Sequence, residues 1–244
     1  MDRKFIRVRD IQVKADTNGN KFNILSDYLD LRSPCSSNLS LPRSGRYFIE
    51  CLKDINLIGK SVLDIGTGYF GFLANHAAYF GARRVVAVDI NQEAIKHART
   101  TYNLLGIDYR VSDIYSSIKA DERFDVIISN PPQLPSNSGG NMHDVSGLDG
   151  LNAIKAIIDG ANYYLAKDGE IYLLIFDFLY KNTKLYCAGL DMECKIICQY
   201  KKELRPNGET AKRSKYIEKI YPKYKFMKKN GTYHRIYILK ITKT

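Results

Sequence analysis

Short apolar runs recur along this chain at intervals that each leave room for one helix, and that rhythm restricts the fold more than any other feature. SVLDI (61–65), VVAVDI (85–90), FDVIIS (124–129) and EIYLLIF (170–176) are such runs, with the weaker YRVSD (109–113) among them. Runs of this length without polar alternation suit strands buried on both faces. Residues 69–80, 91–105 and 150–165 read as helices between them. Strands that alternate with helices pair in parallel through crossovers, which covers both faces of the sheet. The pattern predicts an α/β fold with a doubly wound, mostly parallel, seven-stranded sheet. Helix 178–189 leads to ECKIICQY (193–200), and HRIYILKI (234–241) closes the chain with no helix expected before it. The C-terminal strand is therefore expected to be antiparallel.

Upstream, residues 4–14 set Phe5, Arg7 and Arg9 opposite Ile6 and Val8, and DTNGNKF (16–22) supplies a turn, which predicts a small hairpin. Residues 33–44 are rich in Ser and Pro and read as a loop, and RYFIECLKDI (46–55) has helical spacing with Ser44 placed as N-cap. The expected organisation is an N-terminal extension over 1–43 and one domain over 44–244. There is no apolar run of about 18 residues, so neither a transmembrane helix nor a membrane partner is expected. The charged amino terminus lacks the apolar centre of a signal peptide, and five irregularly spaced cysteines argue for reduced thiols. These features predict a cytoplasmic protein.

The net charge is +11, and its placement says more than its size. Residues 201–244 hold 14 Lys and Arg against 3 Asp and Glu, so the whole excess lies in the last 44 residues. Most of that segment, 201–233, is an expected insertion between the last two strands. Its basic residues interleave with Tyr216, Tyr221, Tyr224, Phe226 and Tyr233, a mixture suited to RNA, with Lys212, Arg213 and Lys215 as phosphate contacts. A lysine-rich, solvated hairpin is the open alternative.

VLDIGTGYFG (62–71) sets Asp64, Gly66 and Gly68 at the carboxyl end of the first strand, just before a helix. Glycines there let the backbone approach a ligand seated on the helix N-terminus. Asp89, 21 residues after Gly68 at the end of the second strand, is placed to hold two ribose hydroxyls. The acid opening the loop favours an adenosyl cofactor with a cationic amino-acid tail over a dinucleotide. Asp113, beside Ile114, is placed to meet the exocyclic amine of adenine.

Taken in order, VLDIGTG, VVAVDI, VSDI and FDVIISNPPQ resemble the class I S-adenosylmethionine (SAM)-dependent methyltransferases. Within them the likeness is to the branch with an Asn-Pro-Pro-Tyr type motif, which includes release-factor glutamine, ribosomal-RNA guanine and DNA adenine methyltransferases. The resemblance covers residues 44–177. It implies a Rossmann-like methyltransferase domain and SAM as cofactor, held by Asp64, Gly66, Thr67, Gly68, Asp89, Ile90, Asp113, Ile114 and Asn130. It also implies catalytic roles for Asn130, Pro131, Pro132 and Gln133. An NH₂ group would donate to the Asn130 side-chain oxygen and to the Pro131 carbonyl, which orients its nitrogen toward the methyl and stabilises the charge developing there.

Gln133 departs from the family, which usually has Tyr or Phe here to stack on the group being methylated. Stacking on a base is worth about 1–3 kcal/mol. Glutamine hydrogen-bonds instead, so Gln133 is expected to touch substrate, with His143 beside it. The expected reaction is N-methylation of a planar amide or exocyclic amine. RNA is placed slightly ahead of a protein glutamine and of a small molecule. Two alternatives stay open: an inactive SAM-binding scaffold or RNA-binding subunit, and a nucleotide-dependent oxidoreductase. Cys187, Cys194, Cys198 and His234 lack the Cys-x-x-Cys spacing of a metal site, so no metal is expected. Cys194 and Cys198 are instead expected as core thiols on one face of a buried strand.

Overall fold

A computed structural model describes residues 11–15, 21–25, 44–101, 106–141, 143–228 and 230–244. The strand expected from residue 4, the loop expected over 33–44 and the last residues of the helix expected over 91–105 lie outside or partly outside this range. The expected hairpin is represented by β1 (Ile11–Ala15) and β2 (Lys21–Leu25), which pair antiparallel.

The main sheet is built from β3 (Ser61–Ile65), β4 (Arg84–Asp89), β5 (Asp108–Val111), β6 (Phe124–Ser129), β7 (Leu165–Phe176), β8 (Met192–Glu203) and β10 (Thr232–Lys243), with the two-residue β9 (Met227–Lys228) at its margin. Its order is β5-β4-β3-β6-β7-β10-β8, and β9 pairs with β10. The first five strands are parallel, and β10 enters antiparallel between β7 and β8. The expected doubly wound sheet with an antiparallel C-terminal strand is therefore present, with β9 as an eighth strand. The sequence order reverses between β3 and β6, so their carboxyl ends frame the crevice where ligands bind in open α/β sheets.

The helices are α1 (Gly45–Leu52), α2 (Phe72–Tyr79), α3 (Gln92–Thr101), α4 (Asn152–Tyr164), α5 (Tyr180–Ala188), α6 (Glu209–Lys212) and α7 (Ser214–Ile220). All five residues of β3 are buried, as its apolar run predicts for a central strand. Ser44 precedes α1 as expected, but its backbone is already helical and its side chain makes no cap hydrogen bond.

One thiol expectation changes. β8 is an edge strand, and its pairing with β10 skips Ile197, so a bulge separates Cys194, opposite Ile241, from Cys198, opposite Ile238. One extra residue moves every later side chain to the other face. Cys194 and Cys198 thus lie on opposite faces, and Cys198 meets Cys51 of α1 with 2.8 Å between the sulfurs. Cys198, Tyr200 and Lys202 then share one face of β8, where Cys198 meets Cys51 and Tyr200 meets Tyr47 of α1.

The basic insertion is folded. Ile217 and Phe226 are buried, and Tyr221 and Tyr224 pack on Phe178 with ring centroids 5.7 and 5.6 Å away. Tyr224 donates to Asp177 Oδ1 at 2.9 Å, and Tyr216 donates to the Leu148 carbonyl. Tyr216, Tyr221, Tyr224 and Phe226, expected to stack on bases, instead hold the insertion onto the domain.

Candidate active site

The glycine loop is positioned by β3 and by the end of β4. The N–H groups of Gly66 and Thr67 both donate to the Val88 carbonyl, at 2.8 and 3.0 Å. Asp89 spans the loop: Oδ2 accepts from the Gly68 N–H at 2.8 Å and Oδ1 from the Asn91 N–H at 2.9 Å. Gly66 and Gly68 have φ of 76° and 67°, left-handed values that favour glycine, and a Cβ at either would meet nothing within 4 Å. The loop therefore presents open backbone to a ligand.

That backbone lines a cleft of about 750 Å³ across the carboxyl ends of the strands. Gly66, Thr67, Gly68, Asp89, Ile90, Asp113, Ile114, Asn130, Pro131, Pro132, Gln133 and His143 all line it, so twelve of the thirteen expected site residues come together. Ile90 is 52 % exposed beside Asp89, an apolar surface for a flat ring. Ile114 holds a φ of 49° on the cleft wall, a costly conformation for a β-branched residue and one that concentrates at binding sites.

Asp64 is the residue set apart. It is fully buried behind the loop, where Oδ2 accepts from the Thr67 hydroxyl at 2.6 Å and from the Ala74 N–H at 3.1 Å. Burial raises its pKa to about 7 against these two hydrogen bonds, and Oδ1 has no hydrogen-bond partner. Its geometry is that of a brace between the loop and the start of α2, not of a carboxylate on the cleft wall.

At the other end of the cleft, Asn130 follows β6. Its Nδ2 donates to the Ser44 hydroxyl at 3.2 Å, so Oδ1 is the atom that remains for a further partner. Gln133 is only 3 % exposed. Its Nε2 donates to the carbonyls of Pro131 and Leu174 at 3.2 and 3.1 Å, and its Oε1 accepts from the Phe176 N–H at 2.6 Å. Both ends of the amide thus make hydrogen bonds within the protein, in place of the substrate contact expected of it, and only the second lone pair of Oε1 is left over. Gln133 fixes the Asn-Pro-Pro turn to the end of β7. The proposed Pro131 acceptor keeps its second lone pair, since a carbonyl oxygen has two. His143 is exposed at the rim, and Tyr47 of α1 is buried against Tyr200, with centroids 4.9 Å apart.

Four further residues belong to this end. Ser44, Phe176, Lys202 and His234 line the cleft with the Asn-Pro-Pro turn. Lys202 and His234 pair across β8 and β10, a register no local pattern discloses. Among the described residues no cluster of His, Cys, Asp or Glu gathers for a metal, and no helix is long and apolar enough to cross a membrane.

Residues 37–202 match the family model for the methyltransferase small domain. The chain belongs to that family. It is 31 % identical over 128 residues to a putative protein N5-glutamine methyltransferase of Methanocaldococcus jannaschii, covering 49 % of this chain and 64 % of that protein. It is 34 % identical over 127 residues to ribosomal RNA small subunit methyltransferase C of Buchnera aphidicola, covering 51 % of this chain and 34 % of the relative. The chain thus spans less than two thirds of these relatives. A methyltransferase structure from Pyrococcus furiosus shares the fold at a TM-score of 0.57 and 21 % identity, covering 91 % of this chain and 90 % of that one. The T. thermophilus 16S rRNA N2 G1207 methyltransferase, solved with AdoMet and guanosine, aligns at 0.50 and 18 % identity over 96 % of this chain and 50 % of its own.

The open glycine backbone, the Asp89 carboxylate and the exposed Ile90 fit SAM as cofactor. They would hold its amino-acid tail, ribose and adenine. When bound, SAM supplies an electrophilic methyl group on a sulfonium. The residues at the Asn130 end would fix an acceptor beside it.

Proposed function

We propose that this methyltransferase transfers its methyl group to the nitrogen of a planar amide or exocyclic amine. The hydrogen bond from Asn130 to Ser44 carries the reading. It commits the amide nitrogen of Asn130 to the protein and leaves the oxygen for a donor. A fixed Asn130 oxygen and the Pro131 carbonyl form a pair of acceptors matched to the two hydrogens of an NH₂ group. Both favour the positive charge that grows on nitrogen during transfer, and neither requires a strong base, since the proton leaves afterwards.

RNA is the first substrate class. Lys215, Lys219 and Lys223 are exposed and make no ion pair among the described residues, which supports phosphate contact. Lys212 and Arg213, expected beside Lys215 in that role, are instead paired with Glu209. A protein glutamine is the second reading, favoured by the loss of a stacking aromatic at Gln133 and by the inward packing of the tyrosines.

The test supplies methyl-tritiated SAM and the protein to a cell extract, then separates nuclease-sensitive, protease-sensitive and small-molecule label. Label on nitrogen that disappears in Asn130→Ala is the expected result. Label on oxygen or carbon, or label unchanged in Asn130→Ala, would overturn the reading.

A further inference from the structure

We propose that Lys202 and His234 form a receiving site for an oxyanion carried by the substrate, so that the molecule methylated is an acidic one. This rests on the reading that the end of the cleft beyond Asn130 holds the amine-bearing substrate.

The two residues face each other in the β8–β10 ladder and so share one face of the sheet. Phe176 forms the floor beneath them: the His234 ring meets it edge-on at 4.7 Å and 87°, and the Lys202 Nζ lies 5.4 Å from its centroid. That floor is fixed to the acceptor turn by the bond between the Phe176 N–H and Gln133. Leu204, Gly208, Thr210 and Ala211 of the insertion add a wall above it. The cleft's size lies within the range of small-molecule sites, about 300–1,000 Å³.

Within this enclosure the charges are incompletely matched. Lys202 makes no ion pair among the described residues, although a half-buried ammonium is costly without a partner. Burial pushes it down to about 8, which leaves it mostly charged at neutral pH. Asp144, the carboxylate whose charge it feels, does not close on it, and Glu209 is committed to Lys212 and Arg213. Glu203 and Arg205 also line the cleft, but the Glu203 carboxylate lies beside Gly231 and forms no ion pair with Lys202 among the described residues. Burial keeps His234 neutral, with its pKa lowered to about 3, and its Nδ1 has no hydrogen-bond partner. An oxyanion at this point accepts from the Lys202 ammonium and from His234 in the tautomer with its proton on Nδ1. A carboxylate of a small molecule and a phosphate of a nucleotide share this chemistry.

The experiment titrates the protein saturated with S-adenosylhomocysteine, using inorganic phosphate in one arm and acetate in the other, followed by calorimetry and thermal shift. Saturable binding of at least one anion is expected, weakened about tenfold or more in Lys202→Met, restored in Lys202→Arg and unchanged in Lys181→Met. A response to phosphate alone assigns a nucleotide-type anion, and a response to acetate assigns a carboxylate. Saturable binding that Lys202→Met leaves intact would overturn the proposal, as would no saturable response while S-adenosylhomocysteine still binds. In both cases the reading of the cofactor site stands. Failure of S-adenosylhomocysteine itself to bind would remove that reading, and the proposal with it.

Discussion

Gln133 and Phe176 are tied by a hydrogen bond from the Phe176 N–H to Gln133 Oε1 at 2.6 Å, which joins the turn after one strand to the end of its neighbour. With the two bonds from Nε2, one amide serves three buried backbone groups. Gln133→Leu keeps the volume and leaves those groups without this partner, at about 1–3 kcal/mol for a buried group left unsatisfied. The expected loss is about 2–4 kcal/mol in denaturant unfolding, with activity falling alongside. Gln133→Tyr, which restores the aromatic of the wider family, should destabilise as well instead of adding substrate stacking. A Gln133→Leu stability within 0.5 kcal/mol of wild type would show that the amide is not a brace.

Two glycines of the same loop separate binding from stability. At Gly71, with φ of 52°, an added Cβ would lie 2.1 Å from the Tyr109 hydroxyl oxygen, while at Gly68 it would meet nothing within 4 Å. Both substitutions incur left-handed strain of about 1–2 kcal/mol. Gly71→Ala is expected to cost appreciably more than that in unfolding measurements. Gly68→Ala is expected to stay near the strain value and to weaken SAM binding by about tenfold or more, since the methyl enters the cofactor's space. Equal stability losses with unaltered SAM affinity would remove the assigned difference.

The parallel core and the cofactor half of the cleft were legible because they are local. An apolar run, a glycine turn and an acid at the next strand end each occupy a few consecutive residues, and Gly66, Gly68, Asp89 and Asp113 reach the cleft accordingly. Asp64 shows the limit of that reasoning: its place in the loop was visible, but not that Thr67 and Ala74 would engage it from behind. The substrate half depends on pairing between distant segments. Ser44 meets Asn130 across 86 residues, and Lys202 meets His234 only through the β8–β10 register, which the bulge at Ile197 shifts. The chemistry of Gln133 is legible locally, but its role is set by a carbonyl 41 residues away and an N–H 43 residues away.

Asp64 should make stability pH-dependent. Its folded pKa is raised by burial from an ordinary 3.8 to about 7, so the folded state binds the proton more tightly than the unfolded chain. That contribution is complete below about pH 4 and is lost as pH rises through about 7. The full separation corresponds to on the order of 4 kcal/mol. Asp64→Asn has no such titration, so its stability relative to wild type should improve from pH 5 to pH 8. Unfolding curves at the two pH values check this, and an identical difference at both would place the proton elsewhere.

If the insertion reads RNA, its exposed cations should act through phosphates and not through bases. Lys215 and Lys219 lie four residues apart on α7, opposite the buried Ile217, and Lys223 follows the helix. Each phosphate contact contributes about 0.7–0.9 to the slope of log affinity against log salt. Replacing all three with Gln should therefore lower the slope for RNA by about 2 and weaken binding uniformly across sequences, leaving S-adenosylhomocysteine affinity unchanged. Tyr221 and Tyr224 offer no compensating stack, because they are packed on Phe178. A slope that the triple variant leaves unaltered would shift the case toward a protein glutamine, whose amide needs the acceptors at Asn130 and Pro131 but no run of lysines.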